Sequence, residues 1–218
     1  MTRRAAPLTG EAVEALPDPC RSCGFWELGG RVPDDRGPAD PATAISKQAW
    51  VAAAVQDGLH PGRVVWLEGE IAAHAVFAPA QRFTHRHPTL PRISDDAWLL
   101  ATIWVQPQWR GLGIGRLLLH ACARDAIHAG AAGVEAIGDR RWQERTCLLP
   151  ASWLLHEGFE VHREHPRRPA LRLELRRTVR WAQSLEHALG ELVDQLPARA
   201  PVRRPVAGSV TRPPSSAG

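Results

Sequence analysis

The rhythm of apolar and polar positions changes along this chain, and each change marks a new element. A helical rhythm comes first: Ile45, Ala49, Ala52 and Ala53 recur at helical spacing, Asp40 suits the N-cap, Pro41 the first helical position, and Gly58 and Pro61 end the run. Residues 64–67 then read as a strand, Glu68-Gly-Glu70 as a turn, and 71–77 as the returning arm of a hairpin. Residues 79–91 form a proline-punctuated loop, expected to be exposed, that carries His85 and His87. Residues 98–105 are nearly all apolar and predict a strand buried on both faces. After a loop over 106–112, the spacing predicts a helix over 113–129. Ile114, Leu117, Leu118, Ala121 and Cys122 form its apolar stripe, with Arg116, His120 and Arg124 placed elsewhere around it.

Residues 134–138 read as the next strand, apolar apart from Glu135. A short helix over 152–157 is started by Pro150 and stopped by Gly158. Two strands, 159–164 and 170–175, flank His165-Pro-Arg-Arg-Pro169, and 178–196 form an amphipathic helix. This order predicts a mixed sheet with helices on both faces, in the α/β or α+β class. The division along the chain is an N-terminal segment over 1–39, a globular domain over 40–178, a C-terminal helix over 179–196 and a tail over 197–218, expected to be disordered.

Composition narrows the setting. With 218 residues and 44% apolar content the chain fits one domain with appendages. The net charge is +4, and every basic residue except Lys47 is arginine, a bias that a GC-rich coding background explains without a function. Seven arginines against two glutamates fall between Arg163 and Arg180, and four arginines with no acid follow Pro197. Such runs can meet phosphate-rich partners, but no nucleic-acid motif with aromatics placed for stacking accompanies them. Four scattered cysteines do not make a secreted disulfide scaffold, and the basic start lacks an apolar h-region. No stretch reaches the eighteen or so apolar residues that a membrane span needs. A cytoplasmic, reducing setting with no membrane partner is expected.

Candidate chemistry concentrates in Trp104-Val105-Gln-Pro-Gln-Trp-Arg110-Gly111-Leu112-Gly113-Ile114-Gly115-Arg116. Glycines at alternate positions between a buried strand and a helix let backbone amides turn toward one point. The first-turn amides of a helix have no partner inside it, and the helix dipole adds positive charge there. Arg110 and Arg116 flank the loop with full charges, and the ligand this suits is a diphosphate. A nucleotide P-loop would need Lys-Ser/Thr where Arg116-Leu117 stands, and a dinucleotide fingerprint would need a third glycine where Leu118 stands.

Arg110-Gly-Leu-Gly113-Ile-Gly115 resembles the Arg/Gln-x-x-Gly-x-Gly/Ala signature of the GNAT superfamily of N-acetyltransferases, and His156-Glu-Gly158-Phe159 resembles the end of that superfamily's last core helix. The likeness covers roughly residues 40–178. Cys20-x-x-Cys23-x-x-Trp26-Glu27, with residues 134–139, Cys147-x-x-Pro150 and residues 165–172, is similar to an actinobacterial subgroup. The resemblance implies a GNAT-like acyl-CoA N-acyltransferase fold around a strand–helix–strand unit that binds acetyl-CoA, with no metal. Trp104, Val105, Arg110, Gly111, Leu112, Gly113, Ile114, Gly115 and Arg116 would be the cofactor-binding residues. A small amine or a protein amino group would be the acceptor.

In such enzymes the amine attacks the thioester directly. That requires a positioned thioester, a donor for the oxyanion worth about 3 kcal/mol, and loss of the amine's proton. An amine of pKa about 10 is neutral only about once in a thousand molecules at pH 7, so a base helps. Glu135, the carboxylate in an otherwise apolar strand, is the leading candidate, and Asp139 is second; either could instead be a salt-bridged carboxylate. The tyrosine that usually protonates the leaving thiolate is replaced by Leu154, and the chain has no tyrosine. Ser152 and Cys147 stand nearest in sequence. This departure opens a second reading, a non-catalytic acyl-CoA-binding regulatory or interaction module.

Cys20-x-x-Cys23 has the spacing of half a zinc site, with Cys147 and a histidine needed to complete it, or else is a loop plugged by Phe25 and Trp26. His74 lies within a strand, and Trp109 stands just before the loop. The 178–196 helix either packs on the domain or pairs two subunits, so the chain is read as a monomer or a homodimer.

Overall fold

The computed structural model describes residues 5–29, 41–83, 90–143 and 147–175. Asp40, His85, His87, the 178–196 helix and the 197–218 tail lie outside them. The elements run β1 (Ala5–Pro7), α1 (Gly10–Glu14), α2 (Pro41–Gln56), β2 (Gly62–Leu67), β3 (Glu70–Pro79), β4 (Ala97–Val105), α3 (Ile114–His128), β5 (Gly133–Asp139), β6 (Leu149–Pro150), α4 (Ala151–His156), β7 (Glu160–Arg163) and β8 (Ala170–Glu174). The strands form one mixed sheet in the order β1-β2-β3-β4-β5-β8-β7, with β6 added against the end of β5.

The hairpin turns where the sequence places it. Glu68 and Gly69 both take positive φ, 53° and 85°, the two-residue conformation whose twist matches its flanking strands. α2 ends as expected, with Gly58 at φ 78° and its amide donating to the Val55 carbonyl. Between the parallel strands β4 and β5, α3 makes the crossover.

Each face of the sheet carries its own core. Ile114, Leu118 and Cys122 of α3 pack with Phe77, Leu100, Val134 and Leu154 on one side. Val13 of α1 and Val51 of α2 pack with Val64, Val76, Leu99 and Ile137 on the other. Both faces of β4 are therefore covered through Ala101, as its apolar run predicts, whereas Thr102 to Val105 are only half-buried, short of the burial expected over 98–105. Arg63 of β2 grips Asp125 of α3 through bonds of 2.7–2.9 Å, which fixes the helix along the sheet. His120 departs from expectation: it lies on the buried side of α3 rather than away from the stripe.

Residues 5–29 are built into this body. Ala5, Ala6 and Pro7 pair with Val65, Val64 and Arg63, extending the sheet by one strand. Thr9 caps α1 by accepting from the Ala12 amide, and Leu8, Val13, Leu16, Phe25 and Trp26 are buried in the second core. The Phe25 and Trp26 plug is thus present, with ring centroids 4.8 Å apart in an edge-to-face contact.

Candidate functional site

β4 and β5 begin as neighbours and then part. Their register runs Ala97–Gly133, Trp98–Val134, Leu99–Glu135 and stops. Beyond it β5 turns to β6 through Gly138–Leu149 and Asp139–Pro150, while β4 continues to Val105 with β3 alone beside it. Burial follows the parting: β4 is buried through Ala101 and half-buried from Thr102 to Val105. On the side away from β3 no strand of the described residues lies against that stretch, so a ligand in the gap can take hydrogen bonds from backbone groups there.

The wide end of the gap leads to the glycine loop. Gly111 and Gly113 hold φ of 78° and 75°, the left-handed region that costs an L-residue roughly 1–2 kcal/mol. Both are exposed, whereas Leu112 is half-buried and Ile114 buried against the first core. Apolar side chains at 112 and 114 thus pin the loop, and glycines at 111 and 113 present its backbone. Gly113 is the N-cap of α3 and offers no side chain to its first-turn amides. Gly115 is helical, and a Cβ there would sit at ordinary contact distance from the Trp153 ring, 3.6 Å, and from the Ile103 and Val105 methyls, 4.0 Å, so packing alone does not demand glycine. An open helix N-terminus, exposed glycine backbone and an unpaired strand edge leading to it fit a diphosphate-bearing arm such as that of coenzyme A.

The flanking arginines act differently from one another. Arg110 donates from Nε to the Val105 carbonyl at 3.0 Å, tying the loop to the end of β4. Arg116 makes a two-point pair with Glu157, at 2.7 and 3.0 Å, so part of its charge is neutralised by α4's C-terminal cap residue. Trp153 and Glu157, four residues apart, bring α4 against the loop. In the sequence Glu157 is marked only as part of His156-Glu-Gly158-Phe159 and Trp153 not at all, although their i, i+4 spacing sets them near one another on the helix. Trp104 faces the other side of the sheet, opposite His74 in register, their rings 5.8 Å apart.

The carboxylates are already engaged. Glu135 is fully buried at the closed end of the gap: Oε1 accepts from Arg172 at 2.9 Å, and Oε2 from the Ser94 amide at 3.0 Å and from Arg163 at 3.2 Å. Arg172 in turn holds Asp96 and Glu174. This is an ion-pair hub that ties β5, β7 and β8 to the segment before β4, the salt-bridged alternative named for this residue. Asp139, at the open end, accepts from the Arg141 amide and from Arg167 and approaches Arg168. Leu154 is fully buried in the first core, while Ser152 is exposed beside it.

Behind β3 and β4 lies a second polar group. Lys47, the lone lysine, pairs with Glu27 at 2.9 Å, both 3% exposed, and donates to the Cys20 and Cys23 carbonyls. Burial alone would lower the ammonium's pKa, but the Glu27 carboxylate and the Cys23 thiol outweigh it and leave it raised. His74 has neither ring nitrogen bonded, and burial, helped by the Lys47 charge, pushes it down to about 3, so the ring is neutral. Among the described residues no group of three His, Cys, Asp or Glu side chains could hold a metal ion, and no helix is long and apolar enough to cross a membrane.

A family model described as acetyltransferase (GNAT) family matches residues 30–146. Among solved structures, yncA from Salmonella typhimurium with its cofactor acetyl-CoA superposes with a TM-score of 0.55 at 15% identity, over 80% of this chain and 95% of that one. An N-acetyltransferase from Staphylococcus aureus Mu50 gives 0.52 at 16%, over 80% and 99%. The PaiA N-acetyltransferase from Thermoplasma acidophilum, in complex with coenzyme A, gives 0.51 at 13%, also over 80% and 99%. No curated protein matches the chain.

Proposed function

Because the chain belongs to the acetyltransferase (GNAT) family, we propose that it is an acetyl-CoA-dependent N-acetyltransferase whose acceptor is a small amine or a protein amino group. One observation carries the reading. The unpaired half of β4 runs straight into an uncapped helix N-terminus framed by two left-handed glycines.

Bound acetyl-CoA supplies an activated acyl carbonyl. The chain's own residues do the rest. Backbone amides of residues 111–116 grip the diphosphate, aided by the dipole of α3. Arg110 keeps the loop fixed to Val105, so the amides are aimed before the ligand arrives. The free edge of β4 between Thr102 and Val105 orients the arm, and one of its amides serves as the oxyanion donor. Ile103, Val105 and Leu112, all packed on the first core, give the gap an apolar wall that displaces water.

Glu135 stands in an otherwise apolar strand, the place a base would take. Its engaged oxygens favour a positioning part instead, in which the hub fixes the closed end of β4 and β5 and so the opening of the gap. The acceptor's proton would then leave to solvent. A second reading, a non-catalytic acyl-CoA-binding module, is favoured by the buried Leu154 in a chain without tyrosine.

Purified protein incubated with acetyl-CoA and a panel of amines and peptides separates the two, with products read as acetyl mass increments because the chain's own thiols confuse thiol reagents. Time-dependent acetylation of one acceptor class is expected. A rise in Tm with CoA but no product on any acceptor would favour the binding module, and neither effect would overturn both.

A further inference from the structure

The proposed acyl transfer uses none of the four free cysteines. Cys23 lies in the N-terminal segment held by Lys47, and Cys147 lies just before β6, on the far side of the chain. Yet both are half-buried, both pack against the second core, and their thiols hydrogen-bond to each other. Among the described residues, the charged groups facing them are the Lys47 ammonium and the Glu27 carboxylate, with the Cys20 thiol acting on Cys147. We propose that Cys23 and Cys147 are a peroxide-reactive dithiol, which closes to a disulfide tying the N-terminal segment to the β6 edge of the acyl-carrier gap. The inference stands apart from acyl transfer and holds whether or not the protein is an active transferase.

The division of labour follows from the surroundings. The hydrogen bond from Cys147 favours a thiolate on Cys23; burial opposes it and Lys47 assists, bringing Cys23 to about 7. The same contact, with burial, raises Cys147 well above the ordinary thiol value, so it remains the proton-bearing partner. The Lys47 ammonium, which donates to the Cys23 carbonyl at 3.1 Å, stands on the Cys23 side of the pair, so Cys23 is the nucleophile and Cys147 the resolving thiol. The Cys23 thiolate attacks the O–O bond of a hydroperoxide, becoming a sulfenic acid as the leaving oxygen takes a proton to form water or an alcohol. Cys147 then loses its proton and attacks the Cys23 sulfur, and the sulfenic hydroxyl departs as water. Two thiols have given up two electrons and two protons, and the peroxide has accepted them.

The remaining cysteines do not compete on these terms. Cys122 is fully buried in the first core, where burial pushes its thiol well up. Cys20 is three residues from Cys23, but it is Cys147 that the Cys23 side chain meets.

Full-length protein purified under reducing conditions is exposed to a few equivalents of hydrogen peroxide, alkylated under denaturing conditions and digested with trypsin. Arg21 separates Cys20 from Cys23, so the two pairings give different linked peptides. The expected result is a Cys23–Cys147 peptide, a mass loss of about 2 Da, Cys20 and Cys122 still alkylated, and a raised Tm. In Cys147→Ser, whose folding is checked by its Tm, Cys23 should stop at a dimedone-trappable sulfenic acid. A Cys20–Cys23 link, four free thiols after peroxide, or a stoichiometric zinc in the purified protein would each overturn the proposal.

Discussion

His74 shows how far one buried ring can set a pH response. Its folded value of about 3 lies below the ordinary 6.5, so the unfolded chain takes the proton first. The stabilisation is complete above pH 6.5 and is lost as the pH falls from there toward 3, on the order of several kcal/mol in all. In His74→Leu the urea midpoint should vary less over that range than in the wild type; an equally steep acid limb would place the dependence elsewhere. Glu135 poses the opposite case, a buried anion among cations. Glu135→Ala should cost about 3 kcal/mol, since Arg163 and Arg172 lose a buried partner, while the pH–rate profile of any transferase activity keeps its shape. If instead one limb of that profile vanished with little change in Tm, Glu135 would be the base after all.

At the scale of elements, α4 tunes the loop it touches. Glu157 draws on the charge of Arg116, whose side chain is 46% exposed, so the pair itself contributes at most about 1 kcal/mol. Removing the carboxylate frees the guanidinium beside the anion site. Glu157→Gln should bind CoA a few-fold more tightly at low salt, with the gain fading as salt rises; a weaker complex would mean that the pair shapes the loop. The elements themselves were largely legible in the sequence. β4, α3 and β5 announce themselves because a buried parallel strand has to be apolar throughout and a covering helix has to keep one apolar stripe. The loop was legible because left-handed backbone selects glycine. The hub was not, since an isolated Glu in an apolar strand reads alike as a base or a buried ion pair, and its partners Arg163 and Arg172 lie 28 and 37 residues away.

For the whole molecule, the hidden part was the start. Three residues of β1 and five of α1 are too short to carry a period, and Leu8, Val13 and Leu16 reveal their burial only against the second core. That core holds Lys47 and Glu27 together beneath α2. Lys47's raised value means their contribution is fully present up to the ordinary 10.5 and is lost only as the pH climbs through the higher folded value. Both cores brace the sheet on either side of the place where β4 and β5 separate, the proposed entry for the coenzyme. Titration calorimetry with CoA, on the wild type and on Gly113→Val, addresses this most directly. The wild type should bind one equivalent, and the variant should bind at least about tenfold more weakly with an unchanged circular dichroism spectrum. Equal affinity in a still-folded variant would contradict it.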